Sequence, residues 1–404
     1  MRKSLFNKLF HGMRKSLLNF LASAALSFGL ASPVAAQDAI KIGQIEAQTG
    51  PSSYLGFMAT QGAKLAVHQI NQAGGVEVGG KKYPIDLDSP DTQGSPQQGL
   101  IQLKKMLEQD HRKYIFGPTL SNVFNGVREY ARGYDGKLLM FAPATAAHPE
   151  LGKPGYGFLL RPVLFDTAPE GFGTYMVEML RSKGAKKVAI LMQNDAFGRF
   201  AVDIYKDSFA KAGIEIQTHW FEASTKDYSA VLARIAAWKP DYLFPGYTDA
   251  ALYDIVQQAT QLGLTKFWLV RGSLGPAIRN KASIDEYIAY MPKYFEEAEK
   301  VDSKVAKFIK DYKDFFKVKD FPYELAPLLF MASYDHVFML AEAMKRAGSI
   351  NDVAAIKKEL LSMTYDGLWV QKFDPVGGGI HSYEIAEMRR GGALKMTLVK
   401  PASK

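Results

Sequence analysis

Three short polar turns in the first half of the chain carry groups that could hold a small ligand. They are residues 48–51, residues 119–122, and the run Ala144, Thr145 and Ala146. Each follows a predicted strand, and in open parallel sheets ligands bind beyond the carboxyl ends of the strands, where helix N-termini also point. Ser121 precedes a predicted helix, so we expect it to be the N-cap of that helix.

A serine at a helix start has two interpretations. It can be purely structural, because an N-cap serine stabilises a helix by about 1 kcal/mol. It can also belong to an anion site, because the first N–H groups of a helix lack partners within the helix and the dipole is positive at that end. Ser121 is therefore a candidate for binding a carboxylate.

Three further turns follow predicted strands in the second half of the chain, at residues 194–198, 245–249 and 270–273. Phe197 and Tyr247 lie in the first two of them, and such aromatic residues could line a ligand site or pack in the core. Polar turns that meet at one edge in both halves predict a cleft between two lobes, which is the usual place for a ligand.

Other chemistry has little support in the sequence. The chain has no cysteine, and its seven histidines show no metal-binding spacing. The run 271–275 lacks the glycine that a nucleophile elbow needs two positions before its serine. No glycine-rich dinucleotide motif and no phosphate-loop lysine is present. We therefore expect a protein that is not an enzyme and that has no metal and no cofactor.

The elements that must position these turns alternate between short strands and helices. Strands are predicted near residues 40–45, 83–88, 114–117, 138–142, 187–192, 214–221, 242–244 and 266–270, and helices near 59–71, 96–109, 122–132, 197–212, 228–238 and 250–262. Such alternation indicates βαβ units and a mostly parallel sheet. The fold class is α/β, with two doubly wound parallel-sheet lobes, a hinge and an interlobe cleft.

The last quarter of the chain departs from this alternation. Residues 301–361 read as three helical stretches, including one over 324–347, and residues 383–399 read as two β runs around a Gly-Gly pair. The glycine cluster at 377–379 is interpreted as a tight turn, with no strand predicted to lead into it.

The first 36 residues have the three-part pattern of a secretory signal peptide. A basic segment precedes an apolar run from Leu17 to Leu30, and cleavage is expected near Ala36. Loss of five basic and no acidic residues lowers the formal charge from +9 to +4, which leaves no basic stripe for nucleic acid. Without a cysteine for lipidation, we expect a soluble periplasmic protein, translated from Met1 or Met13.

In order and spacing, motifs along nearly the whole mature chain resemble type I periplasmic binding proteins of the leucine/isoleucine/valine-binding class. The matching runs are residues 40–43 (Ile-Lys-Ile-Gly), 49–51 (Thr-Gly-Pro), 91–92 (Asp-Thr), 115–117 (Ile-Phe-Gly), 143–146 (Pro-Ala-Thr-Ala), 158–162 (Phe-Leu-Leu-Arg-Pro), 195–198 (Asp-Ala-Phe-Gly), 227–229 (Asp-Tyr-Ser) and 373–375 (Phe-Asp-Pro).

The resemblance implies two lobes joined by three crossovers that close on the ligand like a hinge. One lobe would comprise residues 38–160 with about 291–364, and the other residues 161–290 with about 365–404. The resemblance also implies that Ser121 and the 144–146 turn hold a carboxylate, with Thr145 or Ala146 at the family's hydroxyl position. The walls would be Tyr54 or Leu55 on one side and Phe197 with Tyr247 on the other.

One departure from the family pattern concerns the ligand. Where amino-acid binders of this class place an acidic residue for the ligand's ammonium, this chain has Arg271. A guanidinium there would repel an ammonium and favour a second anionic or acceptor group, which suggests an aromatic acid, keto acid or dicarboxylate. In the alternative, Arg271 faces solvent and Asp249 or Asp195 pairs with an ammonium.

The resemblance implies the solute-capture subunit of an ABC importer, with a small carboxylate-bearing solute as ligand and an inner-membrane permease as partner. We expect a monomer that is not membrane-embedded and does not bind nucleic acid. A sensor that presents its solute to a membrane signalling protein is the alternative, and the genes beside this one would separate the two.

Overall fold

The computed structural model describes residues 38–50, 53–143, 148–163, 172–246, 249–269, 273–323 and 327–400. The predicted signal peptide lies outside these residues. Within them, no helix combines the length and the apolar character that a membrane span requires.

The first sheet has five parallel strands in the order β4-β1-β5-β6-β7. They are β1 (Ile40–Gln44), β4 (Ile85–Asp88), β5 (Tyr114–Phe116), β6 (Leu139–Phe141) and β7 (Leu159–Leu160). Residues of β5 and β6 are buried throughout, as expected of central parallel strands covered by helices on both faces.

The second sheet has seven strands in the order β17-β16-β12-β11-β10-β8-β9. They are β8 (Lys187–Gln193), β9 (Glu215–Phe221), β10 (Tyr242–Pro245), β11 (Lys266–Trp268), β12 (Glu286–Met291), β16 (Tyr383–Arg389) and β17 (Leu394–Val399). The first five of these are parallel, and the chain returns at its end to add β16 and β17 as an antiparallel edge. The fold is therefore α/β with two mostly parallel sheets.

Helices connect and cover the strands. They are α1 (Ser53–Gln72), α2 (Pro96–Lys104, extended by a π-helical turn Lys105–Gln109), α3 (Ser121–Arg132), α4 (Phe172–Ser182), α5 (Ala196–Lys211), α6 (Ser229–Trp238), α7 (Asp249–Gln261), α8 (Gly275–Arg279), α9 (Phe295–Ala298), α10 (Ser303–Phe316), α11 (Pro327–Ala347) and α12 (Val353–Ser362). Short 3-10 turns lie at His148–Glu150 and Arg390–Gly392.

The late helices pack on the first lobe. Val337 and Leu340 of α11 share a buried cluster with Ile42 and Phe116 of the first sheet. Gly62 of α1 permits this approach, since a Cβ there would lie 2.3 Å from the carbonyl oxygen of Phe330. The residue boundaries of the two lobes stay a prediction.

Two small sheets complete the fold. They are the hairpin β2 (Val76–Val78) with β3 (Lys81–Tyr83) and the antiparallel set β13 (Thr364–Asp366), β14 (Val370–Phe373) and β15 (Gly379–His381). The prediction that no strand leads into the glycine cluster was wrong, because β14 ends at Phe373 and β15 begins at Gly379. The turn between them is tight, with the Asp374 carboxylate accepting from the Gly378 N–H at 2.7 Å.

The largest hydrophobic cluster joins the two lobes. Met58 and Leu65 of α1 pack in the same buried cluster as Leu191 and Leu243 of the second sheet. Val163, in the segment that leaves the first sheet, belongs to it as well. The two lobes therefore contact each other through buried apolar side chains.

Candidate ligand-binding site

The first polar turn is organised by the carboxylate of Asp91. One of its oxygens accepts from the N–H groups of Gln48 and Gln93, both at 2.8 Å, and the other accepts from the Thr49 hydroxyl at 2.5 Å. Burial alone would raise the pKa of Asp91, but these hydrogen bonds outweigh it and hold the pKa below its ordinary value. The turn after β1 is therefore fixed by an ionised side chain from the neighbouring strand connection.

Helix α1 begins beside this turn. Gly56, in its first turn, has no room for a side chain, since a Cβ would lie 2.1 Å from the carbonyl oxygen of Ala47. The sequence predicted a helix start near residue 59, whereas the helix begins at Ser53. The candidate wall residues Tyr54 and Leu55 are therefore helical and half-buried, and Leu55 packs against the cluster that joins the lobes.

Glu46 links the end of β1 to the turn at 117–120. Its carboxyl oxygens meet the N–H of Thr119 at 3.0 Å and the Thr119 hydroxyl at 2.8 Å. Glu46 is only 1% exposed, and burial raises its pKa to about 8 despite the two hydrogen bonds, which act to lower it. Gly117 lies against the same carboxyl group, where a Cβ would come within 2.6 Å of Oε1.

Ser121 is the first helical residue of α3, so its prediction as the N-cap was wrong. The N-cap is Leu120, whose backbone is extended and whose carbonyl accepts from the Phe124 N–H at 3.0 Å. The Leu120 side chain is apolar and makes no capping hydrogen bond. Ser121 is 4% exposed. The first N–H groups of α3 therefore receive no cap from the N-cap side chain, and N–H groups at a helix start suit an anion.

A second contact ties α3 to the segment that follows β4. The Asn122 side-chain amide donates to the Gly94 carbonyl at 2.9 Å. The segment 92–95 is also hydrogen-bonded to the chain that leaves β1, because the Thr92 N–H donates to the Glu46 carbonyl at 2.9 Å. The turns that follow β1, β4 and β5 therefore form one hydrogen-bonded edge, which carries Tyr54, Leu55 and Ser121.

Asp195 is the N-cap of α5 in the second lobe. Its Oδ1 accepts from the Gly198 N–H at 2.7 Å, and its Oδ2 accepts from the Gln193 side-chain amide at 2.6 Å. Burial raises its pKa, partly offset by these bonds. Phe197 follows in the first turn and packs, half-buried, against the core of the second lobe. Gly198 is required by space, since a Cβ would lie 2.1 Å from the Gln193 carbonyl oxygen.

The next two second-lobe turns are described in part. After β10, Gly246 lies against β8, where a Cβ would come within 2.7 Å of the Leu191 carbonyl oxygen. After β11, Ser273 is buried, and its hydroxyl has no hydrogen-bond partner in the described part of the chain. Its carbonyl accepts from the Tyr287 hydroxyl at 2.8 Å.

Several predicted site residues fall outside the described residues. They are Ala144, Thr145, Ala146, Tyr247 and Arg271. Asp249 begins α7, and only its backbone is described. The predicted roles of all these residues therefore stay predictions.

The two lobes approach each other at the helices that carry the remaining candidates. Cα atoms of α3, which begins at Ser121, lie within 8 Å of Cα atoms of α5, which carries Phe197. Of the described residues, Ser121, Tyr54 and Leu55 thus belong to one edge and Phe197 belongs to the helix facing it. Nowhere in the described ranges do three or more His, Asp or Glu side chains cluster as metal ligands would.

Sequence reasoning missed Glu46 as part of this site. Its contact with Thr119 spans 73 positions, so no local pattern reveals the pair. The available signal was an acidic residue two positions after a mostly buried strand, β1. Buried carboxyl groups need a partner, and in the structure the turn 119–122 supplies it.

The family profile described as "Periplasmic binding protein" matches residues 39–393. A Leu/Ile/Val-binding protein of Rhizobium johnstonii is 29% identical over 352 residues, which cover 83% of this chain and 86% of that protein.

Solved structures have the same fold. The leucine-binding protein LivK of Thermotoga maritima superposes with a TM-score of 0.72 at 19% identity, over 89% of this chain and 99% of that one. A solute-binding protein of an ABC transporter from R. palustris, in complex with benzoate, also gives 0.72 at 18% identity, over 90% and 97%.

Proposed function

The chain belongs to the periplasmic binding protein family, and from that premise we propose that it captures a small carboxylate-bearing solute for an ABC importer of the branched-chain amino acid type. Membership makes it a solute-binding protein rather than an enzyme. The proposal adds the class of solute, the residues that hold it and the transport partner.

The observation that carries the proposal is the start of α3. Ser121 is buried there, the N-cap Leu120 has no polar side chain, and the helix start is held by Glu46 and by the Asn122–Gly94 hydrogen bond. N–H groups held in place at the positive end of a helix suit a carboxylate. We propose that Ser121 and these N–H groups bind the carboxylate of the solute, and that the 144–146 turn supplies the remaining hydrogen bonds to it.

The rest of the solute would lie between the wall at Tyr54 and Leu55 and the ring of Phe197. Half-buried side chains with large apolar parts, contributed by both lobes, favour a compact apolar body. Lobe closure would then bring α3 and α5 together over the solute, in line with their approach within 8 Å.

Two solute types follow from different observations. The curated relative binds leucine, isoleucine and valine by name, which favours an amino acid. Arg271 favours an acid without an amino group, such as an aromatic acid, keto acid or dicarboxylate. Among solved neighbours one is a leucine-binding protein and another holds benzoate, so the fold alone is compatible with both.

Asp195 bears on this choice. Both of its oxygens already accept hydrogen bonds, one from the Gly198 N–H at the start of α5 and one from the Gln193 side-chain amide, so a structural role accounts for Asp195 without a ligand ammonium. Asp249 and Tyr247 remain the other candidates for the second-lobe side, as predicted from the sequence.

We further propose that residues 1–36 are removed near Ala36 and that the mature protein acts in the periplasm as a monomer. Its partner would be the inner-membrane ABC permease, contacted by both lobes in the closed state. The signalling alternative stays a prediction, and the neighbouring genes test it.

A binding panel tests the proposal. The protein purified after export would be heated with L-leucine, L-phenylalanine, benzoate, a branched keto acid and succinate. A solute present at 100 times its dissociation constant should stabilise the protein by about 2.7 kcal/mol. At least one acid should do so, and its amide or ester should not. A response to none of these acids, or an equal response to the neutral derivatives, contradicts the proposal.

A further inference from the structure

Glu46 is a buried carboxyl group that the proposed site does not use directly. It contacts Thr119, which is two residues ahead of Ser121 in the turn that leads into α3. Building on the proposed function, we propose that Glu46 is a positioning residue: as a neutral acid it holds the turn that presents the carboxylate grip, and its ionisation weakens binding of anionic solutes.

Glu46 contacts both polar atoms of Thr119 and so holds the turn that leads into α3. The Thr119 N–H donates to one carboxyl oxygen at 3.0 Å, and the Thr119 hydroxyl donates to the other at 2.8 Å. When Glu46 is protonated, its O–H can donate to that hydroxyl instead, so the contact is kept in the neutral form. Both polar atoms of Thr119 are then satisfied by one side chain. A glutamine has the same shape and the same donor and acceptor, so it should reproduce the neutral form.

The surroundings of Glu46 disfavour its charged form. It is 1% exposed, and among the described residues no cation is a cause of its pKa shift. The described segments that contact it, residues 89–95 and 116–121, contain one other titratable side chain, Asp91, which is itself acidic and engaged by Thr49. Helix α1, which packs on the adjacent Ala47, adds Tyr54 nearby. Burial therefore raises the pKa of Glu46 to about 8.

Ionisation would place a buried negative charge beneath the N–H groups that hold the solute. Two like charges at one helix start repel each other, and the low polarity of the surroundings strengthens that repulsion. Binding of an anion should then favour the protonated form of Glu46, and protonation should favour binding, because such coupling is reciprocal. Affinity for carboxylates should fall as the pH rises through about 8.

Calorimetric titration of the exported protein with benzoate and with L-leucine, from pH 6 to pH 9.5, tests this. Benzoate has no group that titrates in this range, and the amino group of leucine affects wild type and variants alike. Between pH 7 and pH 9.5 the wild-type dissociation constant should rise at least about threefold, and one ionising group can raise it by no more than about tenfold per pH unit. In Glu46→Gln the dissociation constant for benzoate should not change with pH. Glu46→Ala should bind benzoate roughly tenfold more weakly than wild type at pH 6, because the turn loses its hydrogen bonds.

Asp335→Asn is the matched control. Asp335 is also 1% exposed, with a pKa raised by burial to about 8, but it accepts from the Leu368 N–H and the Gln371 amide, far from Thr119 in the sequence. This variant should keep the wild-type pH profile of affinity.

Identical profiles for wild type and Glu46→Gln, or loss of the profile in Asp335→Asn, overturn the inference while the proposed function stands. If wild type binds neither probe nor any acid of the panel at any pH, the proposed function itself fails.

Discussion

The two sides of the cleft are built by different means. On the first-lobe side, carboxyl groups of Glu46 and Asp91 reach across from neighbouring segments and hold the turns through hydrogen bonds. On the second-lobe side, Gly198 and Gly246 let the turns press directly against the backbone of β8, and Asp195 caps its own helix. Glycines pack closely on the first side as well, at Gly56 and Gly117. The two sides therefore differ in their carboxyl groups, because those of the first side link segments distant in the sequence, whereas Asp195 links only its sequence neighbours.

This difference suggests a division of labour. A carboxylate is common to every solute that we propose, and the side with ordered N–H groups and a serine is suited to bind it. The variable part of the solute would contact an aromatic ring and closely packed turns, so its size would determine how well it binds. The following predictions test each half of this comparison, from the largest expected effect to the smallest.

The stability of the first side should depend on pH through Glu46. Its pKa is about 8 in the fold against an ordinary value of 4.5, so the stability it contributes is fully present below about pH 4.5 and is lost as the pH rises to about 8. At about 1.4 kcal/mol per pKa unit, Glu46→Gln should become more stable than wild type by several kcal/mol by pH 8.

Urea unfolding of ligand-free protein at pH 5 and pH 8 measures this difference. Asp335→Asn should show a similar gain in stability at pH 8. Both substitutions should therefore change the pH dependence of stability, but only Glu46→Gln should change the pH dependence of affinity. If Glu46→Gln and wild type have the same unfolding free energy at both pH values, Glu46 is not a neutral acid in the folded protein.

Ser121→Ala tests the anchor on the first side. A hydrogen bond to a charged group is worth about 1.5–3 kcal/mol, so the variant should bind the best acid of the panel roughly 10 to 100 times more weakly. The control is Ser229→Ala, because Ser229 is likewise the first residue of a helix, α6, but in the second lobe and away from the proposed grip. Equal affinities for the two variants would remove Ser121 from the site.

Phe197→Ala tests the role of shape on the second side. Loss of a half-buried ring against the solute should cost about 1 kcal/mol, or roughly fivefold in affinity, and the loss should differ between benzoate and L-leucine because their bodies differ. Urea unfolding of the same variant separates this effect from loss of core packing. Unchanged affinity for both solutes would mean that Phe197 packs only against its own lobe.

Asp195 should have the smallest effect. If it only caps α5, Asp195→Ala should lower the free energy of unfolding by about 1 kcal/mol, and Asp195→Asn should be nearly neutral because asparagine caps equally well. Neither should change the ratio of leucine to benzoate affinity. A selective loss of leucine binding in Asp195→Asn would assign Asp195 to a ligand ammonium and make the second side electrostatic as well.

The alternation of strands and helices could be predicted from the sequence because it depends on local patterns. Strands such as β8 are continuous apolar runs, and helices such as α5 end at a glycine, Gly213. The strand β12 (Glu286–Met291) was not predicted, since it begins with a glutamate. That glutamate is buried through its ion pair with Lys183, 103 positions away.

The details of the site depended on tertiary contacts. Ser121 was recognised, but its place as first helical residue rather than N-cap follows from the extended backbone of Leu120. The start of α1 at Ser53 places Gly56 against Ala47, a contact that the periodic pattern after residue 59 does not show. Glu46 acquires its role only through Thr119, so it could not be found by inspecting either segment alone.

A crystal structure of the exported protein with the acid that binds most tightly in the panel would test the central claim most directly. The account predicts the acid between the lobes, with its carboxylate on the Ser121 hydroxyl and the first N–H groups of α3, and its body toward Phe197. A carboxylate bound by the second lobe, or an acid bound outside the cleft, would contradict it.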